Sequence, residues 1–191
     1  LSNAKTSTAM YLESSRGLNS QDILVGNKST GIYGIYKTST PVYSNAPTGT
    51  ENKGIITTTA GSKITVGDES SAIYAIGFDK VENKGEITGK DKSVGIYAKN
   101  TAASSKVIDV VNEGNITLGK GSAGIYIAPQ TSNTSNATVV NSGNITLGNA
   151  NNLTKPNVGI YTRTVNSITN TGNVSVGDNS IALYGYDVNH T

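Results

Sequence analysis

The stretch that decides the fold is Asn112-Glu-Gly-Asn-Ile-Thr-Leu-Gly-Lys-Gly-Ser-Ala-Gly-Ile-Tyr126, because both of its ends recur along the chain. One end is Ile-Tyr, with Met-Tyr and Leu-Tyr in the outermost copies, and Gly or Ala always precedes it. The tyrosines are Tyr11, Tyr33, Tyr74, Tyr97, Tyr126, Tyr161 and Tyr184. The other end is Asn-x-Gly, degenerate in the first copy, with asparagines Asn19, Asn52, Asn83, Asn112, Asn141 and Asn170. Such a repeat predicts a solenoid, in which each copy packs on its neighbours.

The repeat unit is about 23 residues long, and the longer copies carry insertions at two places only. One place follows the tyrosine (37–50, 100–106 and 129–137), and the other lies between the asparagine and the next tyrosine (57–63 and 149–156). These segments are rich in Ser, Thr, Asn, Ala and Pro, which is typical of surface loops. Constant units with insertions at fixed places favour a solenoid with loops at its corners.

Each unit contains three short apolar patches separated by turn residues, as in Val110-Val111, Ile116-Thr117-Leu118 and Gly124-Ile125-Tyr126. Three strands per unit predict an all-β fold, a right-handed parallel β-helix of about 6–7 coils. We expect residues 1–8 to be a vector-derived lead-in and residues 9–191 to be one β-helix segment, truncated mid-coil at its C-terminus.

Alternation along the strands predicts which side chains face the interior. In the tyrosine strand we expect Ile inside and Tyr outside. The residues two positions before the Ile are also expected inside: Thr30, Ser71, Val94, Ala123, Val158 and Ile181. In the middle patch, inward positions are Ile87, Ile116, Ile145 and Val174, and outward positions are Thr88, Thr117, Thr146 and Ser175.

The asparagine column is expected to be structural, because stacked amides can bond from coil to coil. The glycine two residues later is expected to supply a positive φ. Gly89 replaces the Leu or Val of other copies, which suggests a local adjustment of strand register.

Composition excludes several classes of protein. Gly, Ser, Thr and Asn make up close to half of the chain, which disfavours helical folds. A net charge of +2 argues against a nucleic-acid partner. There is no apolar run long enough to span a bilayer and no cysteine, so thiolate metal sites and disulfides are excluded.

Catalytic chemistry is not expected from these residues. The acids occur mostly once per coil and are interpreted as turn residues, although Asp68, Asp91 and Asp178 are also candidates for a weak cation site along one edge. His190 is the only histidine and lies near the C-terminus. We therefore predict no enzyme activity, no catalytic residue, no bound metal and no cofactor.

Two sets of surface residues match patterns known from other functions, glycosylation and ice binding. Asn115, Asn136, Asn144 and Asn173 match the N-glycosylation pattern, which this composition also produces by chance. The outward threonines resemble the rows of ice-binding β-helices, but the residue two after each threonine is Gly or a turn residue, and loops interrupt the face.

The tyrosine column is the candidate interaction surface, formed by Tyr33, Tyr74, Tyr97, Tyr126, Tyr161 and Tyr184. Exposed tyrosines offer apolar rings and hydroxyls to a protein or glycan. The alternative is that the rings cover the corner beside Gly or Ala and seal the stack of coils.

The quoted 15-residue pattern resembles the passenger repeats of autotransporters (type V secretion), most of all those of large fusobacterial-type surface adhesins, over about residues 9–188. The resemblance implies a secreted, cell-surface segment whose parent protein carries a C-terminal outer-membrane β-barrel. It implies adhesion to unidentified protein or glycan partners on host or bacterial surfaces. The alternatives are a pure stalk, with binding elsewhere in the parent, and a polysaccharide-active enzyme.

Overall fold

The structure is a computed structural model that describes residues 6–36, 54–100, 108–128, 137–150, 156–163 and 165–186. The described secondary structure is strand throughout: β1 (Thr8–Glu13), β2 (Arg16–Asn19), β3 (Ile23–Leu24), β4 (Thr30–Ile35), β5 (Ile55–Thr58), β6 (Lys63–Val66), β7 (Ser71–Ile76), β8 (Lys80–Asn83), β9 (Glu86–Gly89), β10 (Val94–Lys99), β11 (Ile108–Asn112), β12 (Ile116–Leu118), β13 (Ala123–Ile127), β14 (Ala137–Asn141), β15 (Ile145–Leu147), β16 (Val158–Arg163), β17 (Ser167–Asn170), β18 (Val174–Val176) and β19 (Ile181–Tyr186).

Every third strand belongs to the same parallel sheet. Sheet A has seven strands in the order β1-β4-β7-β10-β13-β16-β19, which carry the tyrosines. Sheet B has six strands, β2-β5-β8-β11-β14-β17, and sheet C has six, β3-β6-β9-β12-β15-β18. The chain therefore winds through one strand of each sheet per coil. This confirms a parallel β-helix with three strands per coil and six to seven coils.

Equivalent residues of successive coils lie beside one another in strict register. In sheet A, Tyr97 pairs with Tyr74 on one side and Tyr126 on the other. In sheet C, Ile116 pairs with Ile87 and Ile145. Each repeated side chain therefore forms a column that runs along the axis of the helix.

The interior is filled by isoleucine columns from all three sheets. Ile96 from sheet A and Ile116 from sheet C are fully buried, as are Val81 and Val110 from sheet B. The threonine that follows Ile116 is exposed, which confirms the predicted alternation in sheet C. Phe78, the only phenylalanine, is also buried; its ring lies against Gly34 and Gly54, where a Cβ would not fit.

The prediction for the position two residues before the inward isoleucine is wrong. Those residues, from Thr30 to Ile181, are half-buried and do not belong to the core. The Gly or Ala directly before the isoleucine faces the interior instead: a Cβ on Gly95 would lie 2.9 Å from Cγ2 of Ile116. Two consecutive residues of the strand are therefore buried, and this crowding explains why only Gly or Ala occurs before Ile-Tyr.

Two further predictions about local register are wrong. Residues 57–63 are not an insertion loop, because Thr57 and Thr58 belong to β5 and Lys63 begins β6. Gly89 causes no register shift, since it pairs directly with Val66 and Leu118. A Cβ on Gly89 would lie 2.6 Å from Cδ2 of Leu118, so the glycine leaves room for that larger side chain.

Candidate interaction surface

The asparagines at the ends of the sheet B strands form a buried hydrogen-bonded ladder. The Nδ2 group of Asn83 donates to Oδ1 of Asn112 at 2.7 Å. In the same way, Nδ2 of Asn112 donates to Asn141, and Nδ2 of Asn141 donates to Asn170. Each Nδ2 also donates to the carbonyl of the glycine two residues later, at 2.9 to 3.0 Å. The amides therefore bond to one another from coil to coil, as the predicted structural role requires.

The ladder continues through a threonine rather than through Asn52. Asn52 lies outside the described residues, and the position between Asn19 and Asn83 in sheet B is Thr58. The Thr58 hydroxyl donates to Oδ1 of Asn83 at 2.6 Å and accepts the N–H of Gly85 at 3.1 Å. Asn19 donates to the carbonyl of Gln21 at 2.8 Å.

In four of the Asn-x-Gly pairs the glycine is required by close approach and not by a positive φ. Gly85, Gly114, Gly143 and Gly172 are not among the residues with positive φ, whereas Gly54 has a φ of 38°. A Cβ on Gly143 would lie 2.1 Å from the carbonyl oxygen of Gly114 in the preceding coil. The predicted positive φ is therefore correct for Gly54 and wrong for the other four, where successive backbones nearly touch at the corner.

A second ladder, which the sequence reasoning missed, fills the turn between sheets C and A. The N–H of Ser93 donates to Oγ of Ser122 at 3.0 Å, and the N–H of Ser122 donates to Oδ1 of Asn157 at 3.0 Å. The residue before the serine has a positive φ in several coils, as in Lys28 and Lys92. The serine was visible in the quoted repeat as Ser122, so its recurrence was the available signal.

The aspartates of the same turn bind the backbone of the next coil. Oδ1 of Asp68 accepts the N–H of Asp91 at 3.1 Å, and Oδ1 of Asp91 accepts the N–H of Lys120 at 3.0 Å. Lys120 also pairs with Asp91 at 3.6 Å. The three predicted cation ligands are thus not contiguous, because Lys120 and then Asn149 separate Asp91 from Asp178. Within the described ranges, no three His, Asp or Glu residues are grouped as metal ligands.

Seven tyrosines on the outer face of sheet A form a continuous stack, the tyrosine ladder: Tyr11, Tyr33, Tyr74, Tyr97, Tyr126, Tyr161 and Tyr184. Neighbouring ring centroids are 4.3 to 5.6 Å apart, and the planes differ by 2° to 7°. The inner rings are half-buried, whereas Tyr11 is 55% exposed. Because each inner ring covers its neighbours' faces, the ladder presents ring edges and hydroxyls to solvent.

The packing of the ladder keeps its central hydroxyls protonated. Burial raises the pKa of Tyr97 to about 12, and the neighbouring Tyr74 contributes in the same direction. Burial and Tyr161 also raise the pKa of Tyr126, although the Arg163 guanidinium opposes this shift. The raised pKa keeps the Tyr97 and Tyr126 hydroxyls protonated, so both can donate as well as accept hydrogen bonds.

Mixed columns flank the tyrosine ladder on the outer face of sheet A. One column contains Thr30 and Ser71, followed by Val94, Ala123 and Val158. The other contains Ile35 and Ile76, which pair directly, together with Glu13, Lys99 and Arg163. None of the five aliphatic side chains belongs to the core or packs against it. The outer face of sheet A is therefore aromatic along its centre and mixed polar and apolar on both sides.

The outer face of sheet C is polar by contrast. It presents the threonine column and, two residues earlier, the exposed asparagines Asn115, Asn144 and Asn173. Oδ1 of Asn115 accepts the N–H of Asn144 at 3.2 Å, so these amides also connect coils. Three of the four glycosylation motifs thus lie exposed on one face; Asn136 lies outside the described residues.

A polar cleft of about 460 Å³ lies at the corner between sheets B and C. Its lining includes Asp22, Lys63, Lys84, Glu86 and Glu113. Lys63 pairs with Glu86 at 3.1 Å and Lys84 with Glu113 at 3.9 Å, so the cleft is lined by paired charges.

His190 and residues 101–107 and 129–136 lie outside the described ranges. Among the described residues, no helix is long and apolar enough to cross a membrane. Comparison with protein-family models, with curated proteins and with solved structures found no match to this chain.

Proposed function

We propose that this chain is a non-catalytic scaffold segment of a secreted bacterial surface adhesin, of the autotransporter passenger kind. The observation that carries the proposal is the position of its variable segments. The segments 37–53, 101–107 and 129–136 each connect a strand of sheet A to the following strand of sheet B. They therefore start and end along one corner of a regular rod, as recognition loops on a rigid support do.

The rod supplies rigidity because its coils are joined by more than the backbone ladders. The buried asparagines, the turn serines and the tyrosines each bind or stack on the same residue of the next coil. Six intervals of about 4.8 Å between sheet A strands give a rod about 29 Å long. A structure of this kind holds corner loops at fixed spacing and at a distance from whatever anchors it.

Two features support a surface location. The repeat resembles autotransporter passengers, and the chain contains no cysteine, which agrees with passengers that cross the outer membrane unfolded. The acidic turn residues support a non-catalytic role, because Asp68 and Asp91 are engaged with backbone N–H groups of the next coil. The partners we propose are proteins or glycans of host or bacterial surfaces.

A pure stalk is the second candidate, and one specific observation favours it. The ring faces of the inner tyrosines, which would otherwise stack on sugars, are covered by neighbouring rings at 4.3 to 5.6 Å. If the corner segments also bind nothing, the function of this chain is spacing alone.

The experiment that separates these candidates uses variants with shortened corners. The 191-residue chain is applied to a glycan array and to surfaces of host and bacterial cells. Variants in which 129–136 or 101–107 are replaced by short Gly-Ser connections are compared with it. Thermal melting verifies the fold of each variant. The adhesin proposal expects binding that is lost in a shortened variant with an unchanged melt. Absence of binding by the intact chain contradicts it and leaves the stalk.

A further inference from the structure

The outer face of sheet A has the composition of a protein interface. Its centre consists of the tyrosine ladder. The column on one side contains Thr30, Ser71, Val94, Ala123 and Val158, and the edge column on the other side contains Ile35 and Ile76 together with charged residues. Tyrosine is enriched and charge is depleted at the centres of interfaces. The charged residues among the described strand positions of this face are Glu13, Lys99 and Arg163, all in the edge column two residues after the tyrosine.

The periodicity of this face restricts which partner can match it. Each column repeats once per coil, at about 4.8 Å, over seven strands. A second copy of the same chain has the same repeat and so stays in register along the whole face. Interdigitated side chains between two sheets with a common repeat are the basis of steric zippers.

The charges favour one orientation of two such copies. Glu13 lies on β1 and Arg163 on β16, near opposite ends of the same edge column. A two-fold axis perpendicular to the coil axis, passing between β7 and β10, places Glu13 of each copy opposite Arg163 of the other. The same axis places Lys99 opposite Ile76, so its charge meets no like charge.

The available area indicates how strong such a contact is. The axis between β7 and β10 overlaps six strands of each copy, from β1 to β16. Strands of six residues span about 20 Å and six strands span about 24 Å, which gives about 500 Å² per copy. The total of about 1,000 Å² lies in the range of weak, transient interfaces. The contact is therefore expected to be weak and reversible.

We propose that the outer face of sheet A is a homotypic interface, through which two copies of this chain associate antiparallel with their tyrosine ladders facing each other. This inference does not depend on adhesion to another partner, because it needs only the described face.

Sedimentation equilibrium of the 191-residue chain over a wide concentration range tests the proposal. The dimer dissociation constant should rise roughly tenfold or more in each of three variants, Ala123→Lys, Glu13→Arg and Arg163→Glu. The double variant that combines Glu13→Arg with Arg163→Glu should recover most of the lost affinity, because it restores opposite charges. Thr146→Lys, on the exposed face of sheet C, should change it less than about twofold.

Several results would overturn the proposal. These are a monomer at every concentration, equal association by the sheet A variants and the wild type, and a double variant that restores nothing. If thermal melting shows that Ala123→Lys does not fold, the variants Glu13→Arg and Arg163→Glu still test the proposal, because both residues lie outside the core.

Discussion

At the scale of single residues, the buried asparagine amides account for the regularity of the coils. Asn112 is fully buried and receives one bond from Asn83 while it donates two, to Asn141 and to Gly114. A buried polar group left without a partner costs about 1–3 kcal/mol. The ladder therefore acts as a chain of mutually dependent bonds, and removing one member takes one bond from each of its two neighbours.

Asn112→Ala is expected to lower the free energy of unfolding by about 3–5 kcal/mol, because three bonds in the interior are lost: Nδ2 of Asn83 loses one of its two acceptors, and Oδ1 of Asn141 and the Gly114 carbonyl each lose a donor. The matched control is Asn115→Ala, which removes an exposed amide that also bonds to the next coil and should cost about 1 kcal/mol or less. Urea unfolding measures both. Equal losses would show that the buried ladder contributes nothing beyond an ordinary surface bond.

The glycines of the Asn-x-Gly corner are limited by space. Gly143→Ala would place a Cβ 2.1 Å from a backbone oxygen that cannot move without separating two coils. Gly124→Ala adds the same methyl group 2.5 Å from the carbonyl oxygen of Gly159, but at a position where Ala72 and Ala182 occur naturally, so the coils can accommodate it there. We expect Gly143→Ala to destabilise the protein by at least about 2 kcal/mol more than Gly124→Ala. Thermal or urea unfolding of the pair gives the difference, and an equal cost at both positions would show that the closer approach at Gly143 adds nothing.

At the scale of elements, sheet A is stabilised by its stacked tyrosines as well as by its backbone bonds. The ring centroids of Tyr74 and Tyr97 are 4.3 Å apart, the shortest spacing among the seven rings. Offset or parallel aromatic pairs add about 0.5–1.5 kcal/mol beyond buried area. The ladder therefore links every strand of the sheet to its neighbours on the outer face.

The titration of Tyr97 should make sheet A sensitive to alkali. The folded pKa is raised from 10.0 to about 12, so folding favours the protonated phenol. The stability contributed is complete below pH 10 and is lost as the pH rises through about 12. We expect the free energy of unfolding to fall over this window, and to fall less steeply in Tyr97→Phe. Urea unfolding at several pH values tests this, and identical slopes for the two proteins would contradict it.

The repeat alone predicted the three-stranded coil, the inward isoleucines and the asparagine ladder, because these follow from alternation and recurrence. It could not predict that Gly95 and Ile96 are both buried, since alternation places consecutive residues on opposite faces. Thr58 was missed as a member of the ladder because it accepts and donates like asparagine without resembling it in sequence. The loss of free ring faces in the tyrosine ladder depends on side-chain rotation, which no spacing reveals.

At the scale of the whole molecule, the chain forms a rod in which each coil advances equivalent residues by one step along the axis. In sheet C, Thr65, Thr88, Thr117, Thr146 and Ser175 pair in succession, one per coil. Positions 110 residues apart in sequence are therefore only four coils apart. No globular packing of separate hairpins gives distances that increase by a constant step.

The most direct test measures those distances in a chain that has no native cysteine. Spin labels are attached to cysteine pairs on the outer face of sheet C and measured by pulsed electron resonance. Thr65→Cys with Ser175→Cys should give about 19 Å, and Leu24→Cys with Ser175→Cys about 24 Å, a step of about 4.8 Å per coil. Distances that do not increase by one coil spacing would contradict the parallel β-helix and every conclusion that depends on it.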